Sequence, residues 1–277
     1  MVRGIFKKLP EYQIIYFGDT ARTPYGTKSR ETIIKYAREN AEFLLNKGAK
    51  IIIVACNTAS AVASGILREE LKIPVFEVIM PAVKRALAVT SNGRIGVIGT
   101  RATIRSGVYD ELLKKWSSKA SPSTSLGINS AGFTPDREVG ARQEASLLQI
   151  FSEAAPLLVP LVEECWLNQP ETKRIVKKYL QPLKNKQIDT LILGCTHYPV
   201  LKHIIGPRIG RRVRLVDSAE EAVDELKDFL NSHNEVEGNL EKGSDHRFYI
   251  SDLTAQVPKI AEKLLGRKVA LEKVEVG

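Results

Sequence analysis

Short aliphatic runs alternate with longer amphipathic stretches along the 277-residue chain, and this alternation constrains the fold more than any other feature. The runs are QIIYF (13–17), KIIIVA (50–55), RIGVIG (94–99), DTLILG (189–194), RVRLVD (212–217) and RFYIS (247–251). Helices are predicted between them, including 30–46, 60–71, 81–89 and 219–230, the last with Ser218 as its N-cap. Continuous apolar strands separated by helices are typical of βαβ units. The sequence therefore predicts an α/β fold with mainly parallel sheets.

The composition limits the classes of protein to consider. Its 43% hydrophobic and 26% charged residues are typical of a soluble globular protein. We find no apolar run of 18 residues and no secretory signal, so we expect a cytoplasmic protein without a membrane span. The formal charge of +9 comes from scattered lysines and arginines. This charge favours a solvated basic surface over a nucleic-acid site, and such a surface would not repel an anionic substrate.

One segment interrupts the alternation of strands and helices. Residues 117–142, SSKASPSTSLGINSAGFTPDREVGAR, are rich in serine, glycine, proline and charge. Long loops of this kind are uncommon inside compact domains. We expect an inserted loop here, with a functional lid as the alternative.

Two cysteines occupy equivalent places in the pattern. KIIIVACNTAS (50–60) and DTLILGCTHYP (189–199) each have an aliphatic strand, a small residue, a cysteine, a nearby threonine and an expected helix start. Cys56 and Cys195 lie 195 − 56 = 139 positions apart, about half the chain, which indicates two similar halves. Ligands of open α/β sheets bind at the carboxyl ends of strands, so we expect one thiol on each side of a shared cleft. The third cysteine, Cys165 in VEECWL, is expected to pack in the core.

A pair of opposed thiols suits inversion of a stereocentre through a carbanion. One thiolate removes the proton and the thiol on the opposite face returns one, and both can exchange roles near neutral pH once their pKa values are tuned. The helix starts favour anions, so Asn57, Thr58 and Thr196 are placed to bind a carboxylate or to stabilise a thiolate. His197 could stabilise a thiolate or donate a proton. No CxxC spacing or His/Cys cluster predicts a disulfide framework or a structural zinc.

The motifs as a set resemble those of the glutamate racemases, in the cofactor-independent aspartate/glutamate racemase superfamily. They are YFGDTARTPYG (16–26), VACNTASA (54–61), VIGTRATI (97–104), PLLVPLVEE (156–164) and LGCTHYP (193–199), in the family's order. The resemblance implies interconversion of L- and D-glutamate without pyridoxal phosphate or metal, supplying D-glutamate for peptidoglycan. It also implies two pseudo-symmetric α/β domains with the active site between them. We assign 1–79 plus 217–277 to the first and 80–216 to the second.

Residue roles follow from the resemblance. Cys56 and Cys195 fall on the family's two acid/base positions, assisted by His197 and by Glu163, with Glu164 as the neighbouring alternative. Substrate contacts carry over to the following residues: Pro24, Tyr25, Gly26, Asn57, Thr58, Thr100, Thr103 and Thr196. Asp19 and Arg22 could steer substrate or form a salt bridge that shapes a turn. We expect glutamate as the small-molecule partner and a homodimer.

The beginning of the sequence departs from the family's pattern. Family members open with a strand that ends in Asp-Ser-Gly-Val-Gly-Gly, whereas this sequence opens with MVRGIFKKLP. The family's aspartate that assists the first cysteine, and a substrate-binding serine beside it, have no counterpart here. We expect that the natural chain begins upstream. The alternatives are a ligand-binding or regulatory homologue with impaired catalysis, and an aspartate or hydantoin racemase.

Overall fold

The computed structural model describes residues 1–119 and 148–276. Its strands are β1 (Ile15–Gly18), β2 (Ile52–Val54), β3 (Val75–Glu77), β4 (Arg94–Gly99), β5 (Gln149–Ala154), β6 (Thr190–Gly194), β7 (Arg214–Asp217), β8 (Arg247–Ile250) and β9 (Glu272–Lys273). Its helices are α1 (Val2–Lys8), α2 (Arg30–Asn46), α3 (Asn57–Glu70), α4 (Ile79–Val89), α5 (Arg101–Arg105), α6 (Val108–Lys119), α7 (Leu158–Glu163), α8 (Pro170–Asn185), α9 (Lys202–Ile209), α10 (Ser218–Ser232), α11 (Asn234–Glu237) and α12 (Val257–Leu265). Short 3-10 turns cover Tyr25–Thr27 and Tyr198–Leu201.

A four-stranded parallel sheet, in the order β5-β4-β6-β7, forms the centre of one half of the molecule. Every residue of β6 is buried, and β4 is buried from Ile95 onward. Both strands consist of nearly continuous apolar residues because helices cover the two faces of a parallel sheet. The predicted α/β class is confirmed.

The other half contains two smaller parallel sheets, β1-β8-β9 and β2-β3. Strand β8 pairs with β1 in the register Tyr16↔Phe248, so the C-terminal segment returns to the N-terminal part of the chain, as expected. The Thr20 hydroxyl strengthens this return by donating to the Asp252 carbonyl at 2.7 Å and accepting from the Asp252 amide at 2.8 Å.

Three strands were absent from the sequence prediction, for local reasons. Strand β3 has only three residues, β9 has two, and β5 mixes polar residues with apolar ones at the edge of its sheet. The periodicity that distinguishes strand from helix needs longer or more regular runs than these.

Several helix starts and one predicted environment differ from expectation. Helix α4 begins at Ile79 because the buried Glu77 carboxylate accepts hydrogen bonds from the Ile79 amide at 2.5 Å and from the Met80 amide at 2.8 Å. Helix α10 begins at Ser218, and its N-cap is Asp217 rather than Ser218. Cys165 lies beyond α7 with a φ of 57° and is half-buried, so its expected place in the core was wrong.

The predicted loop at 117–142 is wrong at its first residues, because 117–119 form the last turn of α6. Positions 120–142 lie outside the described residues. Among the residues that are described, no helix is long and apolar enough to cross a membrane.

Candidate active site

Cys56 stands between the end of β2 and the first residue of α3. It is the N-cap of that helix, which begins at Asn57, three residues earlier than expected. Backbone N–H groups of the first helical turn have no partner within the helix and therefore favour an anion. The local sequence thus places the thiol beside amides that favour its anionic form.

Opposing effects act on the Cys56 thiol. Burial raises its pKa, and the nearby Cys195 raises the pKa further. Hydrogen bonds from the backbone amides of Ala59 and Thr58 and from the Thr58 side chain act in the opposite direction, and the resulting pKa lies above the ordinary value. Cys195, 139 positions away in sequence, is therefore close enough to Cys56 to act on the protonation of the Cys56 thiol.

Cys195 follows the buried strand β6 and is joined to a histidine and a glutamate. Its Sγ lies 3.7 Å from His197 Nδ1, and His197 Nε2 lies 3.4 Å from Glu163 Oε1. Burial alone would lower the pKa of His197, but the hydrogen bonds and charges of Cys195 and Glu163 more than offset this and raise it to about 10. Glu164 is exposed, so Glu163 is the glutamate that contacts His197.

Three threonine hydroxyls meet beside the first cysteine. Thr58 Oγ1 lies 3.0 Å from Thr100 Oγ1 and 3.2 Å from Thr103 Oγ1, and the last two oxygens are 3.0 Å apart. Thr100 is also the N-cap of α5, where its hydroxyl accepts from the Thr103 amide. Gly26 lies against this cluster, because a Cβ added there would be 3.0 Å from Thr100 Cβ. Four of the expected substrate-binding residues are therefore neighbours.

The Pro24–Gly26 turn is held from behind by a buried polar network. Asp19, only 8% exposed, accepts from Arg22 Nε at 2.8 and 2.9 Å and also accepts the Tyr25 hydroxyl. Arg22 also bonds to Glu39 and Asn40 of α2. The salt-bridge alternative for Asp19 and Arg22 is the one that the structure contains.

The remaining predicted substrate-binding residues differ in how far they are buried. Thr196 is half-buried between Cys195 and His197, and Pro24 is exposed. The Asn57 side chain is 2% exposed and bonds to Tyr109 and Ser218. Neither Tyr109 nor Ser218 was predicted to be functional. Tyr109 lies in a helix and Ser218 at a helix start, and no sequence motif indicates that either contacts Asn57.

A cavity of about 640 Å³ opens beside Gly26 and α5. Its lining includes four basic residues and one acidic residue: Lys28, Arg30, Arg101, Arg105 and Glu111. Such an excess of positive charge favours an anionic ligand. Within residues 1–119 and 148–276, no group of three or more His, Cys, Asp or Glu side chains could hold a metal ion.

Known proteins are similar to this chain over nearly its whole length. The family model for Asp/Glu/Hydantoin racemase matches residues 1–159. The glutamate racemase of Geobacter metallireducens is 42% identical over 269 residues, which cover 97% of this chain and 89% of that protein. The crystal structure of the glutamate racemase isoform RacE1 from Bacillus anthracis matches with a TM-score of 0.84 and 34% identity, covering 99% of this chain and 92% of that one.

A second solved structure contains a ligand. The glutamate racemase of Francisella tularensis in complex with D-glutamate matches with a TM-score of 0.80 and 33% identity, covering 99% of this chain and 92% of that one. Matches of this identity and coverage go beyond a shared architecture. The chain belongs to the Asp/Glu/Hydantoin racemase family.

Proposed function

We propose that this enzyme interconverts L- and D-glutamate with Cys56 and Cys195 as its two acid/base groups. The observation that carries the proposal is the pair of thiols at the ends of β2 and β6, close enough for one to shift the pKa of the other. Each thiol has its own polar partners: helix amides for Cys56, and His197 with Glu163 for Cys195.

The proposed reaction is a proton transfer on each face of the α-carbon. One cysteine, as thiolate, takes the α-proton and becomes a thiol, leaving the electron pair on carbon. The other cysteine, as thiol, gives its proton to the opposite face and becomes a thiolate. The charge has then moved from one sulfur to the other, and the reverse reaction starts from that state. As the family resemblance implies, we propose a reaction without pyridoxal phosphate or metal.

Substrate binding in this proposal uses backbone groups and hydroxyls. The Tyr25 hydroxyl is bound to Asp19 and the Asn57 amide to Tyr109 and Ser218, so these two residues would contribute backbone N–H groups. The hydroxyls of Thr58, Thr100 and Thr103 offer donors together with Thr196, and Pro24 and Gly26 complete the turn above them.

We propose two domains with this site between them, formed by 1–79 plus 217–277 and by 80–216. Sheet membership supports the division, because β4 to β7 form one sheet while β1 to β3 and β8 to β9 form the others. A homodimer is also proposed. Exposed Leu157 and Trp166, on either side of α7, support an apolar contact, and light scattering after gel filtration would test it.

We further propose that the product D-glutamate serves peptidoglycan synthesis in the cytoplasm. The three free cysteines support a reducing compartment, since the reaction needs both thiols reduced.

The test is incorporation of solvent deuterium at the α-carbon of L- and D-glutamate, followed by NMR without added cofactor. Exchange and inversion starting from either enantiomer is the expected result. Exchange with aspartate or a hydantoin but not with glutamate would show that the enzyme is an aspartate or hydantoin racemase. Glutamate binding without any exchange would select a ligand-binding protein instead of an enzyme.

A further inference from the structure

A buried chain of hydrogen bonds joins the segments that carry the two cysteines. The Tyr109 hydroxyl donates to Asn57 Oδ1 at 2.6 Å, and Asn57 Nδ2 donates to Ser218 Oγ at 3.1 Å. The Ser218 hydroxyl donates in turn to the Leu193 carbonyl at 3.1 Å. Tyr109 and Asn57 are each 2% exposed and Ser218 is fully buried, so water does not compete for these bonds.

The chain of bonds has one consistent direction. A carbonyl can only accept, so the Ser218 hydroxyl must donate to Leu193 and accept from the Asn57 amide nitrogen. The Asn57 oxygen then faces Tyr109, whose hydroxyl must donate. Burial, followed by the charges of Glu77 and Cys195, raises the pKa of Tyr109 well above its ordinary value, so this donor keeps its proton.

Two members of this chain of bonds lie close in sequence to a cysteine. Asn57 directly follows Cys56, and Leu193 precedes Cys195 by two residues. The ring of Tyr109 also lies beside Gly194, the residue between Leu193 and Cys195, because a Cβ added to Gly194 would be 3.1 Å from Tyr109 Cε2. Tyr109 therefore bonds to the immediate neighbour of Cys56 and lies beside the immediate neighbour of Cys195.

A two-thiol reaction depends on this spacing. Both sulfur atoms must approach the α-carbon from opposite faces, each to within about 3 to 3.5 Å. A misplacement of about 1 Å can lower the rate by about 100-fold. Backbone hydrogen bonds within β6 and within α3 fix each cysteine in its own element. They do not fix α3 relative to β6, whereas the chain from Tyr109 to Leu193 does.

We propose that Tyr109 and Ser218 are positioning residues that hold Cys56 and Cys195 at the separation needed for transfer on both faces. This inference rests on the proposed racemisation. Neither residue need touch substrate, since both act through Asn57 and the end of β6.

The test compares Tyr109→Phe and Ser218→Ala with a matched control, Ser64→Ala. Tyr109→Phe removes one oxygen and keeps the ring against Gly194, and Ser218→Ala removes the central hydroxyl. Ser64 is 7% exposed on the same helix as Asn57 and donates to the Ser60 carbonyl at 2.7 Å. Its substitution therefore also removes a buried hydroxyl bond, but one outside the chain.

The expected result is a kcat lower by about 10- to 100-fold in both directions for the two test variants, with KM for glutamate within about threefold of the parent. Ser64→Ala should retain the parent's kcat. The double variant should lose no more than the worse single variant, because both substitutions break the same chain.

A second readout separates positioning from general loss of structure. When the second thiol is displaced, a proton taken by the first thiolate can exchange with solvent and return to the same face. Deuterium should therefore accumulate in the starting enantiomer faster relative to inversion than it does in the parent or in Ser64→Ala. Thermal unfolding of each variant identifies any that fails to fold, in which case the other test variant decides.

The inference is overturned if both folded test variants match Ser64→Ala in kcat and in the ratio of exchange to inversion while the parent racemises glutamate. Absence of exchange in the parent itself would instead refute the proposed function.

Discussion

Cys56 and Cys195 share a place at the ends of strands but have different partners. Helix amides and the Thr58 side chain surround Cys56, whereas His197 and Glu163 accompany Cys195. The two groups therefore share a proposed role but differ in chemistry. Substitution of one should not reproduce substitution of the other.

We predict that Cys56→Ser and Cys195→Ser each lower racemisation by about 100-fold or more, since each removes one of two proton-transfer groups. Exchange of the α-proton should be impaired asymmetrically, with one variant affecting mostly L-glutamate and the other mostly D-glutamate. Deuterium incorporation from each enantiomer measures this directly. Equal and mild effects from both variants would contradict a two-thiol mechanism.

His197 should remain protonated through neutral pH because its pKa is raised to about 10. Its interactions contribute stability fully below the ordinary histidine pKa of about 6.5. That contribution is lost as the pH rises from there through about 10. We predict that Glu163→Gln lowers the pKa of His197, because it removes the carboxylate 3.4 Å from Nε2.

NMR titration of the imidazole protons measures this shift, with His246 as an internal control. Burial and the charge of Arg267 lower the pKa of His246, which has no contact with Glu163 among its causes. His246 should titrate identically in both proteins. An unchanged His197 titration in Glu163→Gln would show that the glutamate does not hold the proton on the histidine.

Sequence reasoning predicted Cys56, Cys195, His197 and their neighbouring threonines because these residues follow strands, and the carboxyl ends of parallel strands meet at one edge. Thr100 and Thr103 were predicted from the family resemblance. It could not choose between Glu163 and Glu164. Neighbouring residues at a helix end point in directions about 100° apart, and only the packing of α7 determines which one meets His197. The hydrogen bonds of the Asn57 side chain were not predictable either, because its partners belong to α6 and α10 and only the packing of the helices brings them together.

At the scale of elements, the Pro24–Gly26 turn depends on α2 and β8 as well as on its own residues. Asp19 accepts from Ser251 at 3.0 Å in addition to Arg22 and Tyr25, and Arg22 extends to Asn40 at 2.8 Å. Arginine is suited to this place because its planar group can bond to several partners at once, and lysine cannot reproduce that geometry.

We predict that Arg22→Lys raises KM for glutamate by about tenfold, the equivalent of one lost hydrogen bond to a charged group, with a smaller change in kcat. The turn would lose its fixed position while the two thiols stay in place. Steady-state kinetics in both directions measure the effect. Arg38→Lys is the matched control. Arg38, on α2, bonds to both oxygens of the Glu70 carboxylate, as Arg22 does to both oxygens of Asp19, but at an exposed site.

An equal rise in KM for Arg38→Lys would show that the effect is not specific to the turn. Exposed ion pairs contribute about 0 to 1 kcal/mol, so the control is expected to behave like the parent.

Helix starts illustrate what local sequence leaves undetermined at this scale. Periodicity located α4 and α10 within two residues, but the Glu77 carboxylate extended α4 to Ile79, and Asp217 moved the N-cap of α10 by one residue. Asp217 also pairs with Lys202 Nζ at 2.7 Å, a contact from another element. Tertiary partners thus decided which of two adjacent polar residues became the cap.

For the whole molecule, the repeated pattern of strand and cysteine predicted two similar α/β halves, and the resemblance predicted the return of the C-terminal segment. The strand order β5-β4-β6-β7 could not be predicted from the sequence pattern, because it depends on which strands pair across crossover connections. The two halves meet along α4 and α10, where Lys84 Nζ lies 2.6 Å from Glu225 Oε1.

Acid stability should depend strongly on Asp189, which joins the segment after α4 to the start of β6. Its carboxylate accepts from the Thr90 hydroxyl at 2.7 Å, the Ser91 amide at 2.5 Å and the Asn92 amide at 2.7 Å. Burial raises the pKa of Asp189, but these hydrogen bonds more than offset it and lower the pKa from 3.8 to about 2. The ionised form is therefore favoured in the folded protein.

Because the folded pKa is depressed, this stability is present above pH 3.8 and is lost as the pH falls towards 2. We predict that Asp189→Asn lowers Tm by about 2 to 4 °C at pH 7, as expected for about 1 kcal/mol in a chain of this size. The difference from the parent should shrink steadily as the pH falls from 4 to 2. Thermal unfolding across this range measures it, with Asp228→Asn, an exposed carboxylate on α10, as the control. A difference that persists undiminished at pH 2 would mean that the asparagine changes packing rather than charge, since the folded parent's carboxylate is by then about half protonated.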